Sequence, residues 1–270
     1  MAVLYSEERN RPSTVYRRAM PAWPLSRRSL LKALLTAPLW PLTARAFGEG
    51  ARFIPAVAQL GPHCNDRVNG LRRLAWELQK RTSVEVVPDT RPLALSSEQL
   101  FLYPFLYLGG QGALPPLQPA EEDVLRRYLT YGGFLLIDSN AGAADTAFDG
   151  SVRAMLGKLF PRSPLTAVPQ SHVLYKSFFL LDSPPGRLLD KPQLESVNLS
   201  KRAAVIYSQN DLAGAWARDE AGNYELECTP GGEPQRELAY RLGINLCMYA
   251  LCLDYKDDAV HLPLIMRKRE

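Results

Sequence analysis

The sequence predicts an α/β domain, doubly wound around a mainly parallel sheet. Three observations lead there. Short, near-continuous apolar runs recur at Phe105–Leu108, Phe134–Ile137 and Ala203–Tyr207, the pattern of strands covered on both faces. Between such runs lie segments with apolar residues at three-and-four spacing, the signature of a helix with one buried face. Clusters of Gly, Pro, Asn and Asp separate the two kinds of segment. Strands alternating with helices favour a parallel sheet with helices on both sides.

In chain order, Phe53–Leu60 reads as a first buried strand, followed by the turn-forming Gly61-Pro62-His63-Cys64-Asn65-Asp66. Leu71, Leu74, Ala75 and Leu78 mark one face of a helix over Leu71–Lys80. Val84–Val87 is expected as the second strand, closed by Pro88, and Ser97 as the cap of a short helix through Leu102. Phe105–Leu108 is the third strand. Pro119-Ala120-Glu121-Glu122-Asp123 opens the next helix, with proline at its start and acids in its first turn. Gly132 or Gly133 ends that helix before the strand Phe134–Ile137, and Gly150–Phe160 forms a further helix. Residues 161–200 read as an irregular insertion, in which Leu174–Leu181 is either a strand or a buried turn. Ala203–Tyr207 is a buried strand, Tyr224–Cys228 alternates like an edge strand, and Gln235–Leu253 is a long, largely buried helix.

The first 46 residues have another logic. Ser26-Arg27-Arg28-Ser29-Leu30-Leu31-Lys32 resembles the twin-arginine signal, a short apolar stretch runs from Leu30 to Trp40, and Ala44-Arg45-Ala46 offers small residues at the positions a signal peptidase reads. Pro38, Pro41 and Lys32 interrupt the stretch, and a membrane span needs about 20 apolar residues. The expectation is a cleaved leader at 1–46, passage through the twin-arginine translocase, and a single periplasmic domain over 47–270 with no stable transmembrane segment. The leader holds eight of the 32 basic and two of the 28 acidic residues. The remainder therefore has 24 basic and 26 acidic side chains, so its charge points to no nucleic-acid partner. Four cysteines are too few for a disulfide framework in a chain of this size. Cys64 and Cys228 either pair in an oxidising compartment or, as the plainer reading has it, stay free.

Several segments resemble the bacterial domain family DUF4159. They are Leu74–Ser83 (LAWELQKRTS), Tyr103–Gly109 (YPFLYLG), Tyr131–Asp138 (YGGFLLID), Ala204–Asp211 (AVIYSQND) and Leu251–Asp258 (LCLDYKDD). The stretch Arg126–Asp138 also looks like the helix–Gly-Gly–strand unit of the class I glutamine amidotransferase-like superfamily. The resemblance implies a flavodoxin-like sheet and implies no activity. In the amidotransferases a nucleophilic cysteine follows the Gly-Gly strand; here the turn reads Asp138-Ser139-Asn140, and glutamine hydrolysis is not expected.

Two constellations remain as candidate sites, both at carboxyl ends of strands, where open α/β sheets bind ligands. The first is Asp138 and Ser139, with His172 as a base, in a hydrolase-like arrangement; the plainer reading is a turn that caps the next element and a packed or surface histidine. The second is Tyr207-Ser208-Gln209-Asn210-Asp211 with Trp216, as a ligand-binding set of Tyr207, Ser208, Asn210, Asp211 and Trp216 or as an Asx turn anchored by the tryptophan. Asp254, Asp257 and Asp258 oppose a helix dipole, which either a cation or hydration offsets. His63, His172 and His261 have no metal-ligand spacing, and no cofactor motif is present. The expected function is a non-catalytic binding module of the cell envelope, with an envelope protein or glycan as partner. The alternatives are a hydrolase using Ser139 or Asp138 with His172, and a carbohydrate- or peptidoglycan-binding protein suggested by Trp216 and Tyr207. The hydrolase reading requires Asp138, Ser139, His172, Asn210 and Asp211 to meet in one cleft.

Overall fold

A computed structural model describes residues 52–61 and 64–257, with side chains up to Cys252. The leader, with Arg27, Arg28, Ala44 and Ala46, lies outside the described residues, as do His63, His261 and the side chains of Asp254, Asp257 and Asp258.

The elements follow one another as β1 (Ala56–Gln59), α1 (Val68–Arg81), β2 (Arg91–Ala94), a 3₁₀ turn (Glu98–Leu102), β3 (Phe105–Gly110), α2 (Pro119–Thr130), β4 (Phe134–Ser139), α3 (Thr146–Leu159), β5 (Thr166–Ala167), β6 (Glu195–Leu199), β7 (Arg202–Ser208), α4 (Leu212–Trp216) and α5 (Gly232–Asp257). The strands form one sheet in the order β2-β1-β3-β4-β7-β6-β5. The first five positions are parallel, and β6 and β5 add antiparallel at one edge. The sheet is thus mixed α/β and mostly parallel, and the expected insertion supplies its antiparallel edge.

Side chains alternate across the sheet. Phe105, Tyr107, Phe134, Leu136 and Ile206 face a layer made by α1, α4 and α5. Leu106, Leu108, Leu135, Ile137, Val205 and Tyr207 face α2 and α3. The helices have the end chemistry the sequence promised. Pro119 opens α2, and the Glu121 carboxylate accepts from the Gln118 N–H at 2.8 Å in a capping box. Asp145 caps α3 by accepting from the Phe148 N–H at 2.9 Å, so this helix starts four residues before Gly150.

Two expectations are corrected, and one that stood open is decided. Val84–Val87 is not the second strand: Val86 makes only an isolated bridge to Phe53, and the strand beside β1 is Arg91–Ala94. Pro92 is tolerated there because β2 lies at the sheet edge, where a missing N–H breaks no central ladder. Of the two readings of Leu174–Leu181, strand or buried turn, the structure has a turn: the segment begins in a 3₁₀ turn over Val173–Lys176 that packs on α5. Tyr224–Cys228 is no strand: its one bridge pairs Tyr224 with Arg218, and the Glu225 N–H donates to the Ala217 carbonyl at 3.2 Å. Among the described residues no helix is long and apolar enough to cross a membrane.

Candidate functional site at the carboxyl ends of the strands

The parallel register brings the ends of β3, β4 and β7 side by side, with Gly109 beside Asp138 and Asp138 beside Ser208. Asp138 and Ser139 are consecutive, so they leave β4 on opposite faces. Asp138 turns to the face of α4. Its Oδ1 accepts from the Leu212 N–H at 3.0 Å and its Oδ2 from the Ala213 N–H at 2.9 Å. The carboxylate therefore occupies the N-terminus of α4, where open N–H groups attract negative charge. The Tyr107 hydroxyl donates to Oδ2 at 3.4 Å. Tyr107 reaches this position because residue 109 is glycine: a Cβ there would lie 2.1 Å from the tyrosine oxygen.

Asp211 adjoins this carboxylate. It adopts a left-handed backbone (φ 49°), and its Oδ1 accepts from the Gly214 N–H at 3.0 Å. The Arg187 Nε donates to Oδ2, and the Arg67 Nε lies 3.7 Å from Oδ1. Both carboxylates are fully buried. Burial pushes the Asp138 carboxyl up to about 7, with the charge of Asp211 adding to the rise and the Ala213, Leu212 and Ser208 donors pulling it back. Burial also raises Asp211, against the pull of Arg187 and Arg67. Burial, together with Asp138, drives the Tyr107 phenol well above its ordinary range.

The other proposed groups go elsewhere. The Ser139 hydroxyl donates to the Gly142 carbonyl at 2.8 Å and is completely buried. The His172 Nδ1 accepts from the Leu174 N–H at 3.2 Å, and its ring packs 5.6 Å from that of Tyr249. The Tyr249 hydroxyl in turn accepts from the Ala203 N–H at the start of β7. Ser208, which pairs with Asp138, is five residues further along β7, roughly 16 Å at the rise of a strand. Asp138, Ser208, Asn210 and Asp211 thus gather at one end of the sheet, while Ser139 faces away from Asp138 and His172 lies toward the opposite end. Burial lowers the His172 imidazole, so its shift needs no catalytic partner.

Asn210 is a clamp. Its Nδ2 donates to the carbonyls of Pro184 and Lys191 at 2.9 and 2.8 Å, and its Oδ1 accepts from the Lys191 N–H at 2.8 Å. Together with the Arg187–Asp211 pair it straps residues 184–191 across the ends of β4 and β7. Gln235 holds the same strap from α5, donating to the Gly186 and Arg187 carbonyls at 2.7 and 2.9 Å. Trp216 is a core residue: it is fully buried, and its indole N–H donates to the Ala239 carbonyl at 3.0 Å. Of its two readings, ligand contact or an anchor for the loop, this placement is that of an anchor. Tyr207 faces α3 and, with Gln209, Arg153, Lys191 and Glu195, lines a cavity of about 220 Å³. Gln209 donates to Asp149 at 2.6 Å and to the Tyr207 hydroxyl at 3.1 Å, while Arg153 forks onto Glu195 at 3.1 and 2.6 Å.

Sequence reasoning missed Tyr107, Arg67 and Arg187, which reach the two carboxylates from distant parts of the chain. The thiols of Cys64, Cys228, Cys247 and Cys252 are free. Cys64 donates to the Leu60 carbonyl, and burial with the Asp66 charge pushes its thiol up to about 11, the reverse of what activates a nucleophile. Among the described residues no three His, Cys, Asp or Glu side chains gather as a metal site requires.

No curated protein matches the chain. A family model described as a domain of unknown function, DUF4159, matches residues 55–251. The match spans most of the chain and the whole parallel sheet, and the chain belongs to the DUF4159 family.

Proposed function

We propose that the chain is an exported, non-catalytic recognition module of the cell envelope, carried folded by the twin-arginine translocase and working in the periplasm. The observation that carries this reading is the use of every would-be catalytic group in the structure itself. Asp138 caps α4, Asp211 pairs with Arg187 and Arg67, and Ser139 bonds the Gly142 carbonyl. His172 supports a turn beyond the other end of the sheet. A nucleophile needs a base within hydrogen-bond reach, and among the described residues neither Ser139 nor Asp138 has one. The strand order β2-β1-β3-β4-β7 follows the flavodoxin-like order, which supports a relation to the amidotransferase-like superfamily at the level of fold. The leader pattern around Arg27-Arg28 and Ala44–Ala46 supports export.

The burial of Trp216 removes the main motive for a carbohydrate platform. The cavity beside Tyr207 is smaller than the ~300 Å³ at which ligand sites for drug-sized molecules begin. It suits one protruding group of a larger envelope partner, protein or glycan. A photo-activatable residue at Gln193, which lines the cavity, is expected to give one recurring adduct in intact cells. The same residue at the exposed Leu102 should give none. Replacing Arg27 and Arg28 by lysine should leave the protein in the cytoplasm and remove the adduct. Equal adduct patterns at the two positions, or none at Gln193, would reject the reading.

A further inference from the structure

A loop beside α5 holds apolar side chains out toward solvent. Among the described residues seven large apolar side chains are exposed, and three of them, Val173, Phe178 and Leu180, fall within eight positions. Leu180 is 82 % exposed. Single exposed apolar residues are ordinary, but a cluster marks a surface that something covers. The fold presents this cluster firmly. Asn245 of α5, itself fully buried, accepts from the Phe178 and Phe179 N–H groups at 3.2 and 2.7 Å and donates to the Phe179 carbonyl at 2.8 Å. The Leu181 N–H donates to the Tyr175 carbonyl at 2.9 Å and closes the loop. Phe179 packs against the core, while its neighbours Phe178 and Leu180 stay exposed.

The helix extends this surface toward its own end. Asn245, Tyr249 and Cys252 are spaced by four and then three residues, so they share one side of α5. Asn245 holds the loop, the Tyr249 ring lies 5.6 Å from that of His172, next to Val173, and Cys252 is exposed. The strip therefore runs from Leu180 past Val173 to the last turns of α5.

The chain that follows α5 matches the strip in composition and reach. Ala259–Met266 (AVHLPLIM) contains no Asp, Glu, Lys or Arg, although Asp257-Asp258 precede it and Arg267-Lys268-Arg269 follow. Asn245 lies twelve residues before Asp257 and Tyr249 eight, about 18 and 12 Å along a helix. An extended chain spans at most about 3.3–3.6 Å per residue. Leu262 can thus lie up to roughly 17 Å from the end of α5 and Ile265 up to roughly 27 Å. These lengths cover the distance back to Val173 and to the Phe178–Leu180 turn. Pro263 disfavours a helix through Leu262, which would carry the segment away from the domain.

We propose that Ala259–Met266 folds back along α5 and lays Leu262, Ile265 and Met266 over Val173, Phe178 and Leu180. The surface is on the opposite face of the sheet from the Tyr207 cavity, so this proposal and the recognition reading can fail separately.

The test is disulfide trapping in the purified full chain carrying Cys252→Ser, under mild oxidation. Leu180→Cys with Ile265→Cys should form a bridge within one chain. Leu189→Cys, equally a replacement of an exposed leucine but in the strap at the carboxyl ends of the strands, should form none with Ile265→Cys. A second reading uses the native Cys252 thiol. Leu262→Asp with Ile265→Asp should speed its alkylation by about tenfold, the factor for a segment docked nine-tenths of the time. Phe178→Ser with Leu180→Ser should give the same rise, and the four changes together no further rise, which a general loosening of the fold would not produce. A bridge joining two chains would make a second copy the occupant and overturn the proposal. Binding of the unaltered chain to phosphatidylcholine vesicles would assign the surface to a membrane and do the same. Equal trapping at Leu180 and Leu189, or an unchanged rate at Cys252, would also overturn it. The photo-crosslink at Gln193 would stand unaffected by any of these.

Discussion

Asp138→Ala is expected to cost about 3–5 kcal/mol, because it strips two buried N–H groups at once, those of Leu212 and Ala213. For a domain of this size the loss corresponds to a fall in Tm of about 10 °C. The loss has a particular pH signature. The folded Asp138 carboxyl stands at about 7, above its ordinary value of 3.8. Between those values the folded chain holds a proton that the unfolded chain has released. The contribution of Asp138 to stability is therefore greatest at acid pH and falls as pH rises toward 7. Asp211, raised in the same direction, adds to the slope. Asp138→Asn, which keeps an acceptor and cannot ionise, should lose less stability than the alanine variant and flatten the dependence between pH 5 and 7. Tm profiles of the three proteins across that range check both expectations. A wild-type slope from this region that rises with pH would contradict them.

Arg187→Met should be of similar size. Asp211 is fully buried and Arg187 supplies its shortest ion pair. Removing one partner of a buried pair leaves an uncompensated charge and typically costs about 3–5 kcal/mol. Arg67 remains near Asp211 and keeps the loss toward the lower end. The substitution should also loosen the strap over residues 184–191, since it removes the side-chain tie from Arg187 Nε to Asp211 and leaves residue 187 held by its backbone, whose N–H donates to the Asp211 carbonyl at 3.1 Å and whose carbonyl accepts from Thr229 and Gln235. A double-mutant cycle of Arg187→Met with Asp211→Asn measures the coupling. The double variant should be more stable than the sum of the two single losses predicts, because neutralising Asp211 removes the orphaned charge. Limited proteolysis should show earlier cleavage within 184–191 in Arg187→Met. Strict additivity, with an unchanged cleavage pattern, would show that the pair does not hold the strap.

Local patterns made part of this legible. The runs Phe105–Leu108, Phe134–Ile137 and Ala203–Tyr207 are strands because both faces of each are covered, and α1 and α2 follow from the spacing of their apolar residues. β2 escaped detection because Arg91-Pro92-Leu93-Ala94 has little strand propensity and is recruited by β1 at an edge, whereas the more strand-like Val84–Val87 makes a single bridge. α4 has five residues, too few for a periodic signal, and it exists because two carboxylates from outside it cap its N–H groups. The sequence singled out Asp138, Ser139, Asn210 and Asp211 as polar residues at strand ends. It could not tell chemistry from support, because Asp138 caps a helix 74 residues away and Asp211 pairs with an arginine 24 residues before it.

The central claim, that these groups hold the fold together and do no chemistry, is tested most directly by treating the purified full chain with a fluorophosphonate probe for activated serines. The Ser139 hydroxyl is buried and donates to the Gly142 carbonyl, so the wild type and Ser139→Ala should be equally unlabelled. A covalent adduct on Ser139 that disappears in Ser139→Ala would contradict the account.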